Sequence, residues 1–369
     1  MWEEVYQRAC ANHGVKPREE ILSAVDKNHG VVKLCGNVFE NFNQRFTDDE
    51  MVAFSEACPR VPLVTVLRLP YNVIGARGAI ALARAIEEGF ITLQHIDLSY
   101  NSIDGEGASA LATAATSCEL LSTLLLAGNP IGGIPGPSLM NLLESKCSQL
   151  VVLNLEKTDQ DLSSIVHIAR GLAHNTTLTT LNLGRPLLSN PMDVSYAMEH
   201  LSIALGENRT LQCLQLNYFS ITDYDLEILL STLCNSAVCC ITLRGNKLSQ
   251  ASGEKLAELL VRRPDFTVLD LSANRLRDVG ASAIASVITH HPGLRELELC
   301  CNTIGGVGIS AIARSIAGNV SLSKLTLWGN DFTDGSVEDL YAVRDRLQQM
   351  DCTDFSFYVV DGRPMVARE

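Results

Sequence analysis

The sequence predicts an α/β repeat solenoid, with short parallel strands along one wall and helices along the other. Three observations carry this. One apolar phrase recurs at a spacing of 27 to 33 residues, a stretch of helical periodicity follows each copy, and 46% hydrophobic content is reached with only 5% aromatics. Small repeated leucine and alanine layers, each touching only its neighbours, fit that composition.

The phrase is L-x-x-L-x-L-x-x-N. Its first clear copy is Val64, Leu67, Leu69 and Asn72, followed by Leu93-Ile96-Leu98-Asn101 and Leu121-Leu124-Leu126-Asn129. Three copies without the asparagine come next, Leu150-Leu153-Leu155, Leu178-Leu181-Leu183 and Leu211-Leu214-Leu216. Four complete copies then end at Asn246, Asn274, Asn302 and Asn330. L-x-L alternates, so it reads as a strand with leucines inward and the intervening residues toward solvent. At the bend the asparagine amide can satisfy backbone groups, and stacked copies would form a ladder of such bonds. Thr158, Pro186 and Phe219 stand in its place in the three middle copies, so a looser middle is expected. Helical stretches follow, as in Gly105 to Ala115 and Gly280 to Ile288.

This pattern, with a full helix in about 28 residues and turns such as Asn101-Ser102-Ile103-Asp104-Gly105, resembles the ribonuclease-inhibitor-like class of leucine-rich repeats. The resemblance implies a horseshoe or arc with strands concave and helices convex. It says little of function, because that class holds inhibitors, GTPase activators, actin cappers and axonemal proteins.

Four segments follow. Residues 1–30 read as a helical N-terminal cap, from a stripe of Trp2, Val5, Tyr6, Ala9 and Cys10 and a second helix over Arg18 to Val25. Residues 31–62 read as a degenerate first repeat, with Asn37 in a turn and Thr47-Asp48-Asp49-Glu50 starting a helix. Residues 63–333 hold about ten repeats of about 28 residues, one lengthened by an insertion at Pro186 to Ser195 that should break helical continuity. Residues 334–369 read as a cap helix over Gly335 to Met350 and a hairpin-like tail turning at Asp361-Gly362, with Pro364 limiting pairing on one arm. Tyr6-Gln7-Arg8-Ala9-Cys10 at one end and Tyr358-Val359-Val360-Asp361-Gly362 at the other resemble ciliary leucine-rich-repeat proteins. That implies a non-catalytic component of a cilium or flagellum.

Several function classes are disfavoured. The net charge of −13 suits neither nucleic acid nor an anionic membrane, and favours a basic protein surface as partner. No apolar run reaches about eighteen residues and the start lacks a signal-peptide pattern, so a cytosolic chain with reduced cysteines is expected. Cys239-Cys240 and Cys300-Cys301 have no metal-ligand spacing and read as packing cysteines. Asn175, Asn208 and Asn319 begin glycosylation acceptor patterns that would go unread in the cytosol. No Gly-Lys-Ser/Thr follows a glycine loop, so no cofactor is expected, and His95 beside Asp97 is a solvated surface pair rather than a catalytic one.

The strand register selects the candidate partner site. Asp270, Glu296 and Glu298 fall on adjacent strands about 5 Å apart, which concentrates negative charge. Arg244 and Lys324 flank them, so the patch is either neutralised internally or open to a partner's Lys or Arg. Trp328 faces outward on the last strand, where it is a hot-spot candidate or is covered by the tail. Phe355, Phe357 and Tyr358 either fold back on the last repeat or dock on a partner, folding back being favoured because exposed apolar strands aggregate. The leading reading is a scaffold whose partners are other proteins, axonemal or microtubule-associated. The alternatives are an inhibitor-like binding module and an activator of a Ran-type GTPase using Arg77, although no acidic tail accompanies that arginine.

Overall fold

The computed structural model describes residues 2–26, 30–60 and 63–369, so the segment boundary placed at residue 62 lies outside the described residues. The chain divides into two compact units. Unit one comprises residues 1–189 and 203–211, and unit two residues 190–202 and 212–369. The division falls in the stretch where Thr158, Pro186 and Phe219 replace the asparagine.

Unit one runs α1 (Trp2–Asn12), α2 (Glu19–Asp26), β1 (Val31–Lys33), α3 (Asp48–Ala57), β2 (Val66–Arg68), α4 (Ala76–Glu87), β3 (His95–Asp97), α5 (Gly105–Ala115), β4 (Thr123–Leu125), α6 (Gly136–Glu144), β5 (Val152–Asn154), α7 (Leu162–His174) and β6 (Thr180–Asn182). Its strands pair in chain order, all parallel. Helix α8 (Pro191–Glu207) follows. Unit two runs β7 (Cys213–Gln215), α9 (Asp223–Leu233), β8 (Cys240–Thr242), α10 (Gln250–Arg262), β9 (Val268–Asp270), α11 (Arg277–Ile288), β10 (Glu296–Glu298), α12 (Gly306–Gly318), β11 (Lys324–Thr326), α13 (Asp334–Ala342), α14 (Arg344–Leu347), β12 (Cys352–Thr353), β13 (Phe355–Val360) and β14 (Arg363–Arg368). Strands β7 to β12 are again parallel and in order, while β13 and β14 form a separate antiparallel ribbon. Each unit therefore has the leucine-rich-repeat fold.

Each three-residue strand buries its middle side chain, and the leucines two residues on are equally enclosed, with Leu67, Leu69, Leu98, Leu243, Leu269 and Leu297 at 0% exposure. The recurring spacing of the asparagines has a direct cause. Asn101 Nδ2 donates to Leu98 O in its own repeat and to Leu69 O in the preceding one, both at 2.9 Å, while its Oδ1 accepts from Ile74 N at 3.1 Å. Asn302 does the same with Leu299 O, Leu271 O and Leu276 N. Thr158 keeps only the local half, donating to Leu155 O at 2.7 Å, with Gln160 Nε2 bonded to its hydroxyl at 3.1 Å.

In each repeat from β2 to β11 the residue before the asparagine, or before Thr158, Pro186 or Phe219 in its place, is left-handed. Tyr71, Tyr100, Lys157, Arg185, Tyr218, Ala273 and Cys301 have φ between 53° and 61°, and Gly128, Gly245 and Gly329 fill the same place. A non-glycine residue there costs about 1 kcal/mol, which the asparagine bonds around it offset. A second set of bonds ties the residue after some helices to the C-terminal turn of the helix before. Asn175, Asn208 and Asn319 are buried and donate to Leu143 O, Leu172 O and Ile288 O, so these acceptor patterns serve as structural joints. Arg263 and His291 fill that role between them, Arg263 reaching Val238 O at 2.9 Å and His291 Nε2 donating to Arg263 O at 3.0 Å.

At the start, Trp2, Tyr6, Ala9 and Cys10 bury one face of α1, with Trp2 edge-on to Phe54 of α3. Thr47 and Glu50 close a reciprocal capping box on α3. Two local expectations need correction. Pro191 opens α8 instead of breaking a helix, because a proline at the first helical turn forfeits only an N–H that has no intrahelical partner. The helix expected over Gly335 to Met350 is split at Val343, whose φ of −104° and ψ of 14° interrupt the helical path between α13 and α14.

Replacing Asn302 by Ala orphans two buried carbonyls and one buried N–H, so a loss of about 2–4 kcal/mol is expected from urea denaturation. Thr158→Val should cost about 1 kcal/mol, and equal losses at the two positions would contradict the cross-repeat role of the asparagine.

Candidate functional site

The register of unit two assembles the acidic patch. Glu298 lies directly opposite Asp270, and Glu296 opposite Lys324. Like charges facing each other across adjacent strands are destabilising unless a cation sits between them. Arg244, two residues beyond β8, supplies it, with Nε at 3.1 Å from Asp270 Oδ2 and Nη2 at 3.1 Å from Glu298 Oε2. From the other side Lys324 Nζ reaches Glu298 Oε1 at 2.6 Å and Glu296 Oε2 at 3.4 Å. Each oxygen of Glu298 thus has its own cation. Asp270 and Glu298 side chains are only 8% and 16% exposed, whereas Glu296 remains 38% exposed at the rim. Burial opposes the charge on both cations, yet the bonds to Asp270 and Glu298 hold Arg244 above its ordinary range, and those to Glu298 and Glu296 do so for Lys324. Three carboxylates against two cations leave the network one negative charge in excess.

The tail closes the end of the same face. Asp354 sits beyond the last full strand, where its Oδ1 accepts from Leu327 N at 2.8 Å and its Oδ2 from Trp328 N at 2.9 Å. It also accepts from Cys300 Sγ at 3.0 Å, and burial first, then this carboxylate, pushes the Cys300 thiol up to about 11. Behind it an aromatic chain runs Trp328, Phe332, Phe355, Phe357 and Tyr341, with successive ring centroids 5.5 to 6.2 Å apart. Phe355 is buried and Trp328 and Phe357 are half-buried, and the ring beside Trp328 is that of Phe332. Asp361 and Gly362 both have positive φ at the tip, as a tight hairpin turn requires. Tyr358 and Met365 pair across the ribbon on the other face and are 46% and 41% exposed, next to Val360 at 50%. A cleft of about 730 Å³ lies between the ribbon and α13 and α14, lined by Tyr341, Arg344, Leu347, Phe357 and Val359. The structure brings Asp270, Glu296, Glu298, Arg244 and Lys324 into one network and Trp328, Phe355 and Phe357 into one aromatic cluster, and it leaves Tyr358 outside both.

In unit one, His95 Nε2 accepts from Arg68 Nε at 3.3 Å, and burial and then Arg68 lower its proton affinity. Asp97 instead accepts from Ser99 N at 3.0 Å. Arg77 is ion-paired to Asp49 on the surface. One exposed feature escaped the sequence reading. Tyr71 and Tyr100, both in the left-handed turn, stack at 4.5 Å with an interplanar angle of 2°, and Lys157 Nζ lies 5.9 Å from the Tyr100 ring. Gly128 makes this possible, since a Cβ there would lie 2.4 Å from the Tyr100 ring. A tyrosine recurring just before the asparagine was the available signal.

Parallel strands, intervening helices and asparagine turns are the architecture of a leucine-rich-repeat solenoid. The family described as leucine rich repeat matches residues 62–83, 91–112, 264–285 and 290–313. A protein phosphatase 1 regulatory subunit 37 homolog from Caenorhabditis briggsae is 25% identical over 276 residues, covering 73% of this chain. This chain spans only 29% of that relative's length. Among solved structures, an internalin from Listeria monocytogenes aligns with a TM-score of 0.43 at 17% identity, covering 95% of this chain and 94% of the internalin. The yeast Rad7 and Elc1 complex aligns at 0.47 and 15% identity, covering 92% of this chain and 84% of the aligned one. No described helix is long and apolar enough to cross a membrane, and the described residues hold no cluster of three or more His, Cys, Asp or Glu fit for a metal.

Arg244→Met should cost about 2 kcal/mol, because Asp270 and Glu298 then face each other without a shared cation, while Glu296→Gln should change stability by less than about 0.5 kcal/mol. A folded-state value for Lys324 above 10.5 means that its contribution is complete below pH 10.5 and is lost as pH rises through the raised value. Alkaline melting curves should therefore fall more steeply for the wild type than for Lys324→Met.

Proposed function

We propose that the chain is a non-catalytic scaffold that binds another protein through the C-terminal part of unit two. The observation that supports this most directly is the ribbon of β13 and β14. Its inner face is anchored by Phe355 and Phe357, while Tyr358, Val360 and Met365 stand 41% to 50% exposed on the other. Apolar side chains held rigid from behind lose little entropy on docking, and an exposed apolar patch beside charged groups is the usual make-up of a protein contact. The rim carboxylate Glu296 and the excess negative charge of its network suit a lysine or arginine on the partner.

The cellular setting we infer is the axoneme of a cilium or flagellum, supported by the ciliary resemblance of both ends of the sequence. A second reading has a specific observation behind it. The Caenorhabditis briggsae relative, named for a regulatory subunit of protein phosphatase 1, aligns with 73% of this chain, so docking on a phosphatase is a related form of scaffolding.

Fractionation of ciliated cells separates the two. An axonemal scaffold stays with demembranated axonemes in high salt, and the paired substitution Tyr358→Ser with Met365→Ser releases it without loss of helical signal. Release of the wild-type chain sinks the axonemal setting. Calorimetric binding to purified protein phosphatase 1 catalytic subunit then decides the second reading, no heat of binding removing it.

A further inference from the structure

We propose that Cys213 and Cys240 form a redox-active dithiol that a hydroperoxide closes to a disulfide bridging neighbouring repeats. The two are direct partners in the parallel pairing of β7 and β8. Such partners sit about 4.8 Å apart, inside the 4.4 to 6.8 Å over which a disulfide spans its two Cα atoms. Both side chains occupy solvent-facing strand positions and are half-buried, so a small oxidant reaches them. Their sulfurs lie 2.7 Å apart. That is well inside the separation of about 3.5 to 4.0 Å preferred even by smaller carbon atoms, and the step to a covalent S–S of about 2.05 Å is short.

The environment also divides the labour. The Cys240 S–H held against it lowers the Cys213 thiol to about 7, against burial and with help from Gln215 Nε2 at 3.8 Å. The same hydrogen bond, then burial, raises the Cys240 thiol. Gln215 Nε2, donating to Cys213 Sγ, favours a thiolate there, which makes Cys213 the nucleophile and Cys240 the resolving thiol. Glu296 adds negative potential at both sulfurs. Cys239 does not compete, since adjacent strand residues point to opposite faces.

The chemistry balances with a hydroperoxide as oxidant. The Cys213 thiolate attacks the peroxide oxygen, the O–O bond breaks, and the departing alkoxide or hydroxide takes up the thiol's proton, leaving a sulfenic acid on Cys213. The Cys240 sulfur then attacks the Cys213 sulfur, the S–O bond breaks, and hydroxide leaves as water with the Cys240 proton. Two thiols and one hydroperoxide give one disulfide, one alcohol or water, and one water. An added dithiol reverses the closure by exchange.

The test uses the full chain with hydrogen peroxide, followed by alkylation of residual thiols and peptide mapping. A Cys213–Cys240 cross-linked peptide that forms before the exposed Cys147, Cys301 and Cys352 are modified, and that disappears with dithiothreitol, is expected. Cys240→Ser should stop at a Cys213 sulfenic acid captured by dimedone. Full alkylation of both cysteines in the wild type, while the exposed thiols are oxidised, would overturn the proposal whatever the variant does.

Discussion

The structure depends on one interaction, the buried asparagine that serves two repeats at once. A strand three residues long cannot order itself, and the tight bend that follows it forces a left-handed residue into each repeat from β2 to β11. The asparagine side chain meets both difficulties by donating to the carbonyls of its own strand and the preceding one while accepting from the earlier turn. Asn129 and Asn330 each accept two such N–H groups, Asn101 and Ile103 in one case and Asn302 and Ile304 in the other. The asparagines thus fix the strand register from which every solvent-facing side chain takes its position.

The candidate site follows from that register. Two carboxylates are placed face to face on β9 and β10, and the arginine that reconciles them comes from the turn beyond β8. At the end of the array no further asparagine repeat follows, and Asp354 accepts the Leu327 and Trp328 amides that a next strand would otherwise meet. Closing the edge in this way also turns the chain into β13, so the aromatic anchor and the exposed ribbon are products of a stability requirement.

Much of this was legible because strand and helix periodicities differ and the leucine spacing separates them. Leu67 and Leu69, or Leu297 and Leu299, could only face inward. What stayed hidden depends on groups distant in sequence. The charges at 244, 270, 296, 298 and 324 could be placed on one face, but whether Arg244 would reach across to Glu298 was a matter of side-chain reach. Asn175, Asn208 and Asn319 matched a modification pattern by composition alone, while their buried position at helix ends makes them joints. Cys213 drew no attention because its partner lies one repeat away, where the eye is caught by the sequence neighbours Cys239 and Cys240.

Native-state hydrogen exchange tests the central role of the asparagines most directly. The turn amides of Ile74, Ile103, Ile221, Leu248, Leu276 and Ile304 donate to asparagine Oδ1 atoms and to no strand. If the asparagines order the repeats, these amides exchange as slowly as the strand-end amides of Leu98 and Leu299. Exchange at the rate of exposed turns, with the strand amides still protected, would contradict the account.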